Sequence, residues 1–212
     1  MSFETDVAYN TDMINILDYS RDNFIPTMLS SSSRYLYNLV KKLKPNNVLE
    51  IGTAVGYSTL VMLKAGAQRV TTIELDKQRY DISNQNFKIF NVQNKVVSIN
   101  DDALNAITNL KGENQKFDFV FVDGPKSQYL KQFQILDQLI TTNATIVFDD
   151  ALYMYSTVKE GFVEHKHRAM ITKLREFVKY VQTNKNYKAE FINIDEGMIV
   201  ATKIANKIGE IW

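Results

Sequence analysis

The chain has 212 residues, 45% of them hydrophobic, so folding buries roughly 70% of the unfolded surface and a full core forms without staples. Cysteine is absent, which excludes disulfides, thiol nucleophiles, Cys-ligated zinc and iron–sulfur clusters, and two histidines leave any metal to oxygen ligands. Twenty-five Lys and Arg against 24 Asp and Glu leave a net charge of +1, no global sign of a nucleic-acid binder, and no run approaches the ~18 apolar residues of a membrane span.

The chain opens with Glu4 and Asp6, acidic where a signal peptide is basic, so a cytoplasmic protein without a membrane partner is expected. Two helices are predicted first, over 11–23 and 32–43, broken near Pro26. They make residues 1–45 an N-terminal helical cap on a single domain spanning 1–212. From Asn47 apolar runs alternate with amphipathic ones. A strand over 48–51 closes at Gly52 and a helix follows over 57–64. The β-branched run 69–74 is a second strand, and 77–90 is helical. Further strands are predicted over 96–99, 117–122 and 144–148, then a long helix over 157–182. The last two strands, 189–194 and 197–203, lie close enough around Asp195-Glu196-Gly197 to form a hairpin. The pattern predicts an α/β fold: a doubly wound, mostly parallel seven-stranded, Rossmann-like sheet ending in an antiparallel hairpin.

Open α/β sheets bind ligands beyond the carboxyl ends of their strands. After the first strand, Glu50-Ile51-Gly52-Thr53-Ala54-Val55-Gly56-Tyr57-Ser58 is either a tight turn into a helix or a loop whose backbone approaches a ligand. It is neither the G-x-G-x-x-G of dinucleotide enzymes nor a Walker loop. Glu74 ends the second strand, either as a ligand for the two hydroxyls of a ribose or as a solvated glutamate. Asp102, before Ala103, either meets the amine of an adenine or caps the next helix. The fourth and fifth strands end in Asp123, with Lys126 three residues on, and in Asp149-Asp150. Three carboxylates on adjacent strand ends repel one another unless a cation joins them, and magnesium suits oxygen ligands. The other reading is caps and turns.

Taken together, the run from Val48 to Thr59, Phe117-Asp118-Phe119-Val120-Phe121-Val122-Asp123 with Lys126 and Tyr129, and Asp149-Asp150 resemble the motifs of the S-adenosylmethionine-dependent, cation-dependent O-methyltransferases of the caffeoyl-CoA and catechol type. The resemblance covers nearly the whole chain. It implies that Gly52 and Ser58 line the methionine moiety of S-adenosyl-L-methionine, that Glu74 holds the ribose, and that Asp102 and Ala103 meet the adenine. It implies that Asp123, also beside the cofactor, ligates Mg2+ or Mn2+ with Asp149 and Asp150, and that Lys126 is the general base. A homodimer is expected. In two places the chain departs from the family. Asp150 stands where the family usually has Asn, which adds negative charge and bears on metal choice. The segment Ala151-Leu152-Tyr153-Met154-Tyr155 lacks a glycine that many members carry, which bears on the shape of the acceptor pocket.

The resemblance implies an acceptor with two adjacent oxygens, and one bacterial branch of the family methylates 5-hydroxyuridine in tRNA anticodons. Between Lys159 and Lys188 stand eight Lys and Arg against three Glu, while residues 1–33 carry five acids and one Arg. Lys41, Lys42 and Lys44 form another basic cluster. The basic stretch either contacts phosphates or is a solvated helix face. Tyr153 and Tyr155 either stack on a flipped base or pack in the core. The run His165-Lys166-His167-Arg168 adds to the likeness with the tRNA branch. The expected acceptor is tRNA, with a small catechol or acyl-CoA phenol as the alternative. A non-catalytic cofactor- or RNA-binding module needs neither Lys126 nor three carboxylates, and a nicotinamide oxidoreductase needs the missing glycine motif.

Overall fold

The computed structural model describes residues 2–151 and 168–204. Two helices come first. α1 (Thr11–Asp22) starts where the Asn10 side chain accepts from the Met13 amide at 3.1 Å. α2 (Ser30–Leu43) closes on Lys44, which takes the left-handed conformation. The N-terminal turn is tied to α2 by Tyr37, whose hydroxyl donates to Asp6, and by Arg34, which pairs with Glu4 and lies 4.9 Å over the Phe3 ring.

The alternation then runs β1 (Asn47–Ile51), α3 (Tyr57–Ala65), β2 (Arg69–Glu74), α4 (Lys77–Ile89), β3 (Val96–Asn100), α5 (Ala103–Gly112), β4 (Phe117–Val122), α6 (Tyr129–Leu136) and β5 (Ile140–Phe148). Beyond it come α7 (Arg168–Thr183), β6 (Tyr187–Ile192) and β7 (Met198–Lys203). The strands form one sheet in the order β3-β2-β1-β4-β5-β7-β6. The first five are parallel, and β7 runs antiparallel to both β5 and β6. This is the doubly wound sheet with an antiparallel hairpin that the sequence pattern predicts. The order reverses at β1, which pairs with β2 on one side and β4 on the other, and this opens a crevice beyond its carboxyl end.

Alternation along the strands sorts side chains between two core layers. Leu49 and Ile51 of β1 and Val120 and Val122 of β4 pack with α5, α6 and α7. Val48, Phe119 and Phe121 point the other way, onto α1, α2 and α3. Strands buried on both faces read as unbroken apolar runs, which is why β1 and β4 stand out in the sequence. Under the end of β5, Phe148 meets Phe177 of α7 at 4.6 Å between ring centroids and Tyr129 of α6 at 5.1 Å. The Tyr129 hydroxyl donates to the Asp149 carbonyl at 2.7 Å, so this aromatic cluster holds the turn that follows β5.

Three elements go beyond the sequence expectation. α5 is the next helix that the capping reading of Asp102 anticipates, without bounds from periodicity, and α6 is a helix that periodicity does not announce. β5 begins at Ile140, with exposed Thr141, Thr142 and Asn143 accommodated by a shift of register against β4 and a positive φ of 64° at Asn143. The start predicted for the long helix, together with Tyr153, Tyr155, His165, Lys166 and His167, falls outside the described residues.

Gly52 has a φ of +98°, and a Cβ there would lie 2.1 Å from the Asp123 carbonyl oxygen. The ends of β1 and β4 approach this closely because the Asp123 amide donates to the Ile51 carbonyl at 2.8 Å. Gly52→Ala is expected to cost about 2–4 kcal/mol, from the left-handed backbone and the overlap together. A urea titration measures it; a cost under about 0.5 kcal/mol would show that the strand ends part freely.

Candidate active site

A cleft of about 670 Å³ opens beyond the carboxyl ends of β1, β2 and β4, within the usual size of a small-molecule site. Gly52, Glu74, Asp102, Ala103, Asp123 and Lys126 all line it. A separate recess of about 530 Å³ lies by the amino ends of β1, β2 and β4, away from these side chains, except that Asp101 borders both.

Glu74 is largely buried at the end of β2. Its Oε2 accepts from the Ala54 amide and its Oε1 from the Asp76 amide, each at 2.8 Å. The carboxylate is thereby fixed on the cleft wall, not solvated. Asp102 is the N-cap of α5: its Oδ1 accepts from Leu104 N at 2.9 Å and Asn105 N at 3.3 Å. It caps the helix and borders the cleft at once, so the two sequence readings are compatible. Ala103, the first residue of α5, lies beside it.

Ser58 is placed differently. It is buried in the first turn of α3 and is not among the residues lining the cleft. Its Oγ donates to Glu50 Oε1 at 2.6 Å. Thr72 Oγ1 donates to Glu50 Oε2 at 2.5 Å, and Thr59 donates to the same oxygen. Glu50 is a carboxylate with no exposure at the centre of the sheet. Burial pushes its pKa up to about 7, the three hydroxyls pull it back, and the charge of Asp123 raises it further. Sequence reading passes over Glu50; the available signal is an acid inside an otherwise apolar strand.

At the other end of the cleft the carboxylates crowd. Asp149 follows β5 and is 4% exposed; its amide donates to the Val122 carbonyl at 2.9 Å, which sets it beside Asp123. Burial, then the charges of Asp123 and Asp150, push Asp149 up to about 8. Burial pushes Asp123 up to about 6, with Lys126 lowering it and Asp150 raising it. Asp149 Oδ1 accepts from the Asp150 amide at 2.9 Å, and Asp150 takes a φ of 49°. Lys126 begins a short 3₁₀ turn after Pro125, and its Nζ lies 3.0 Å from Asp150 Oδ2. The strand ends thus bring Asp123, Asp149, Asp150 and Lys126 together. Among the described residues, no group of three or more His, Asp or Glu side chains is arranged as a ready-made metal cage.

The O-methyltransferase family model matches residues 9–204. The chain belongs to the O-methyltransferase family. Tapetum-specific methyltransferase 1 of Arabidopsis thaliana is 30% identical over 176 residues, which span 81% of this chain and 76% of the relative. A caffeoyl-CoA O-methyltransferase of Populus kitakamiensis is 27% identical over 177 residues, 81% of this chain and 75% of that one. The fold is similar to that of an O-methyltransferase from Bacillus cereus solved in complex with S-adenosylhomocysteine, with a TM-score of 0.83 and 21% identity over 95% of both chains. The expected class, an O-methyltransferase of the caffeoyl-CoA type, is the class of this family member. No helix among its described residues is long and apolar enough to cross a membrane.

Proposed function

We propose that this O-methyltransferase moves a methyl group from S-adenosylmethionine to a hydroxyl with a second oxygen beside it, and that the acceptor is 5-hydroxyuridine in the tRNA anticodon. The observation that carries the reading is the one cleft that Glu74, Asp102, Asp123 and Lys126 line together. S-adenosylmethionine supplies an electrophilic methyl on a sulfonium sulfur. Glu74 has one backbone donor on each oxygen, which leaves lone pairs for two ribose hydroxyls. Asp102 spends Oδ1 on its helix and keeps Oδ2 for the adenine amine, next to Ala103. Gly52 admits the ligand to the strand end, and Ser58 acts through Glu50.

Asp123, Asp149 and Asp150 are an all-oxygen donor set whose mutual repulsion a hard cation relieves, so they fit Mg2+ or Mn2+. Asp123, Asp149 and Asp150 would hold such a cation, which would supply the positive charge that lowers the pKa of an acceptor hydroxyl. Lys126 takes the proton from that hydroxyl, and the freed oxygen attacks the methyl in line as the sulfur–methyl bond breaks, leaving S-adenosylhomocysteine.

Support for tRNA comes from α7. It packs against the 3₁₀ turn that bears Lys126 and carries Arg168, Lys173, Arg175 and Lys179 against one acid, Glu176. Mass spectrometry of tRNA nucleosides from cells lacking the protein tests the reading: 5-methoxyuridine should vanish and 5-hydroxyuridine should accumulate. The names of the plant relatives favour a second reading, a small catechol or acyl-CoA phenol. Ready methylation of free catechol by the purified enzyme, with no methyl gained by tRNA carrying 5-hydroxyuridine, would establish that reading instead.

The ribose role of Glu74 has its own test. Losing charged hydrogen bonds to ribose is worth about 1.5–3 kcal/mol, so Glu74→Ala should weaken S-adenosylmethionine binding at least about tenfold. Calorimetry with unchanged affinity would remove Glu74 from the site.

A further inference from the structure

The turn between β6 and β7 holds two distant parts of the molecule. Asp195 Oδ2 accepts from the Ser32 amide at 2.9 Å and from Ser32 Oγ at 2.7 Å. Ser32 is buried in the first turn of α2, and the residue before that helix, Leu29, offers no side-chain cap. Asp195 therefore performs the work of an N-cap across a sequence separation of 163 residues, and its charge suits the positive end of the helix. The turn itself is tight: the Gly197 amide donates to the Ile194 carbonyl at 2.7 Å, with φ of +51° at Asp195 and +79° at Gly197. Ile194 borders a recess with Ser30, Ser31 and Tyr35 of α2. On its other side, the Gly197 carbonyl accepts from the Ala151 amide at 2.8 Å, directly after Asp149 and Asp150.

Both partners of the turn lead to the cleft. The linker that enters α2 places Pro26 in the cleft wall, together with Glu74, Asp102 and Lys126. One residue past Ser32, the buried Ser33 stands by the Tyr57 phenol at the start of α3. Ala151 leads back to the carboxylate pair. The β6–β7 turn thus meets both, through the exposed Asp195 side chain on α2 and the Gly197 carbonyl beside the aspartates.

We propose that Asp195 is a positioning residue for methyl transfer: by capping α2 from the β6–β7 turn, it holds the Pro26 wall in register with the Asp149-Asp150 end of the cleft. This rests on the cleft being the cofactor site, not on the identity of the acceptor. In the full-length protein, Asp195→Ala should raise amide exchange over residues 24–33 and leave β1 and β4 protected. It should weaken binding of S-adenosylhomocysteine, measured by calorimetry, by about fivefold, the fold-change equivalent to the usual worth of an N-cap. Asp195→Asn keeps an oxygen that accepts both Ser32 bonds, so it should stay within about twofold of the unaltered protein. Unchanged binding in Asp195→Ala overturns the proposal. So does an equal loss in both variants, or exchange raised evenly across the sheet, since each marks general destabilisation. Unaltered protein that binds no S-adenosylhomocysteine fails the cofactor reading itself and takes this inference with it.

Discussion

Lys126→Ala is expected to leave cofactor and acceptor binding in place and to lower turnover by roughly 10²–10⁴, the usual contribution of a positioned base. The side chain is well placed for such a role. Pro125 and the 3₁₀ turn hold its backbone at the cleft edge, and only 18% of the side chain is exposed. Its ion pair with Asp150 at 3.0 Å sets the amine beside the carboxylates that are proposed to bring the acceptor in. Removing it also leaves Asp150 unpaired next to Asp123 and Asp149, so part of any loss is electrostatic. Lys126→Arg separates the two effects. Arginine keeps the pair with Asp150 but stays protonated, so it should restore the local charge and not the turnover. Single-turnover measurements on preformed complexes read the chemical step directly. Full activity in the arginine variant, or less than a tenfold loss in the alanine variant, would end the case for Lys126 as base.

Removal of divalent cations should abolish methyl transfer, with a loss of at least about 100-fold on treatment with EDTA, because the acceptor hydroxyl loses the group that lowers its pKa. Magnesium or manganese should restore it, since every proposed ligand is a carboxylate oxygen. The physical basis is the crowding at the strand ends. The charges of Asp123 and Asp150 raise the pKa of Asp149, and that of Asp150 raises Asp123. Lys126 offsets one of those charges, which leaves the others for a cation to neutralise. Undiminished turnover in metal-free buffer would exclude the cation from the mechanism. Restoration by calcium alone would argue against octahedral coordination while keeping the same ligands.

Much of the fold is legible because buried parallel strands advertise themselves. Phe117–Val122 is apolar except for Asp118, and that residue sits near the start of β4, where its carboxylate accepts from the amides of Asn46 and Asn47. The hairpin is legible from the short gap around Asp195-Glu196-Gly197 between two apolar runs. The bounds of α5 and the whole of α6 are not. α5 carries Asn105, Thr108 and Asn109, weak helix formers that tertiary packing of Ala106, Ile107 and Leu110 overrides. α6 has eight residues, too few for a periodicity to declare itself, and it is fixed by aromatic contacts from α7 and β5.

In the site, the residues that end strands could be picked out one by one, because the sheet alone brings Glu74, Asp123 and Lys126 to one crevice. Glu50 could not. Its hydroxyl partners come from α3 and β2, so the one local signal, an acid in an apolar strand, does not say what it binds. Nor could Asp195, whose partner lies 163 residues away. Relationships between side chains on separate elements stay hidden until the chain is folded, even where each residue type is plain.

The place of β7 also governs how this protein must be made. β7 lies between β5 and β6 although it is synthesised after both. A ribosome that has delivered every residue lining the cleft still presents β5 with its outer edge open over Thr145–Phe148, where Ile146, Val147 and Phe148 are fully buried once paired. An apolar edge of that kind recruits strands from neighbouring chains. Nascent protein is therefore exposed to aggregation until Met198–Lys203 emerges and slots in, and the demand for chaperones falls late in translation, not at the stage when the catalytic end of the sheet is assembled.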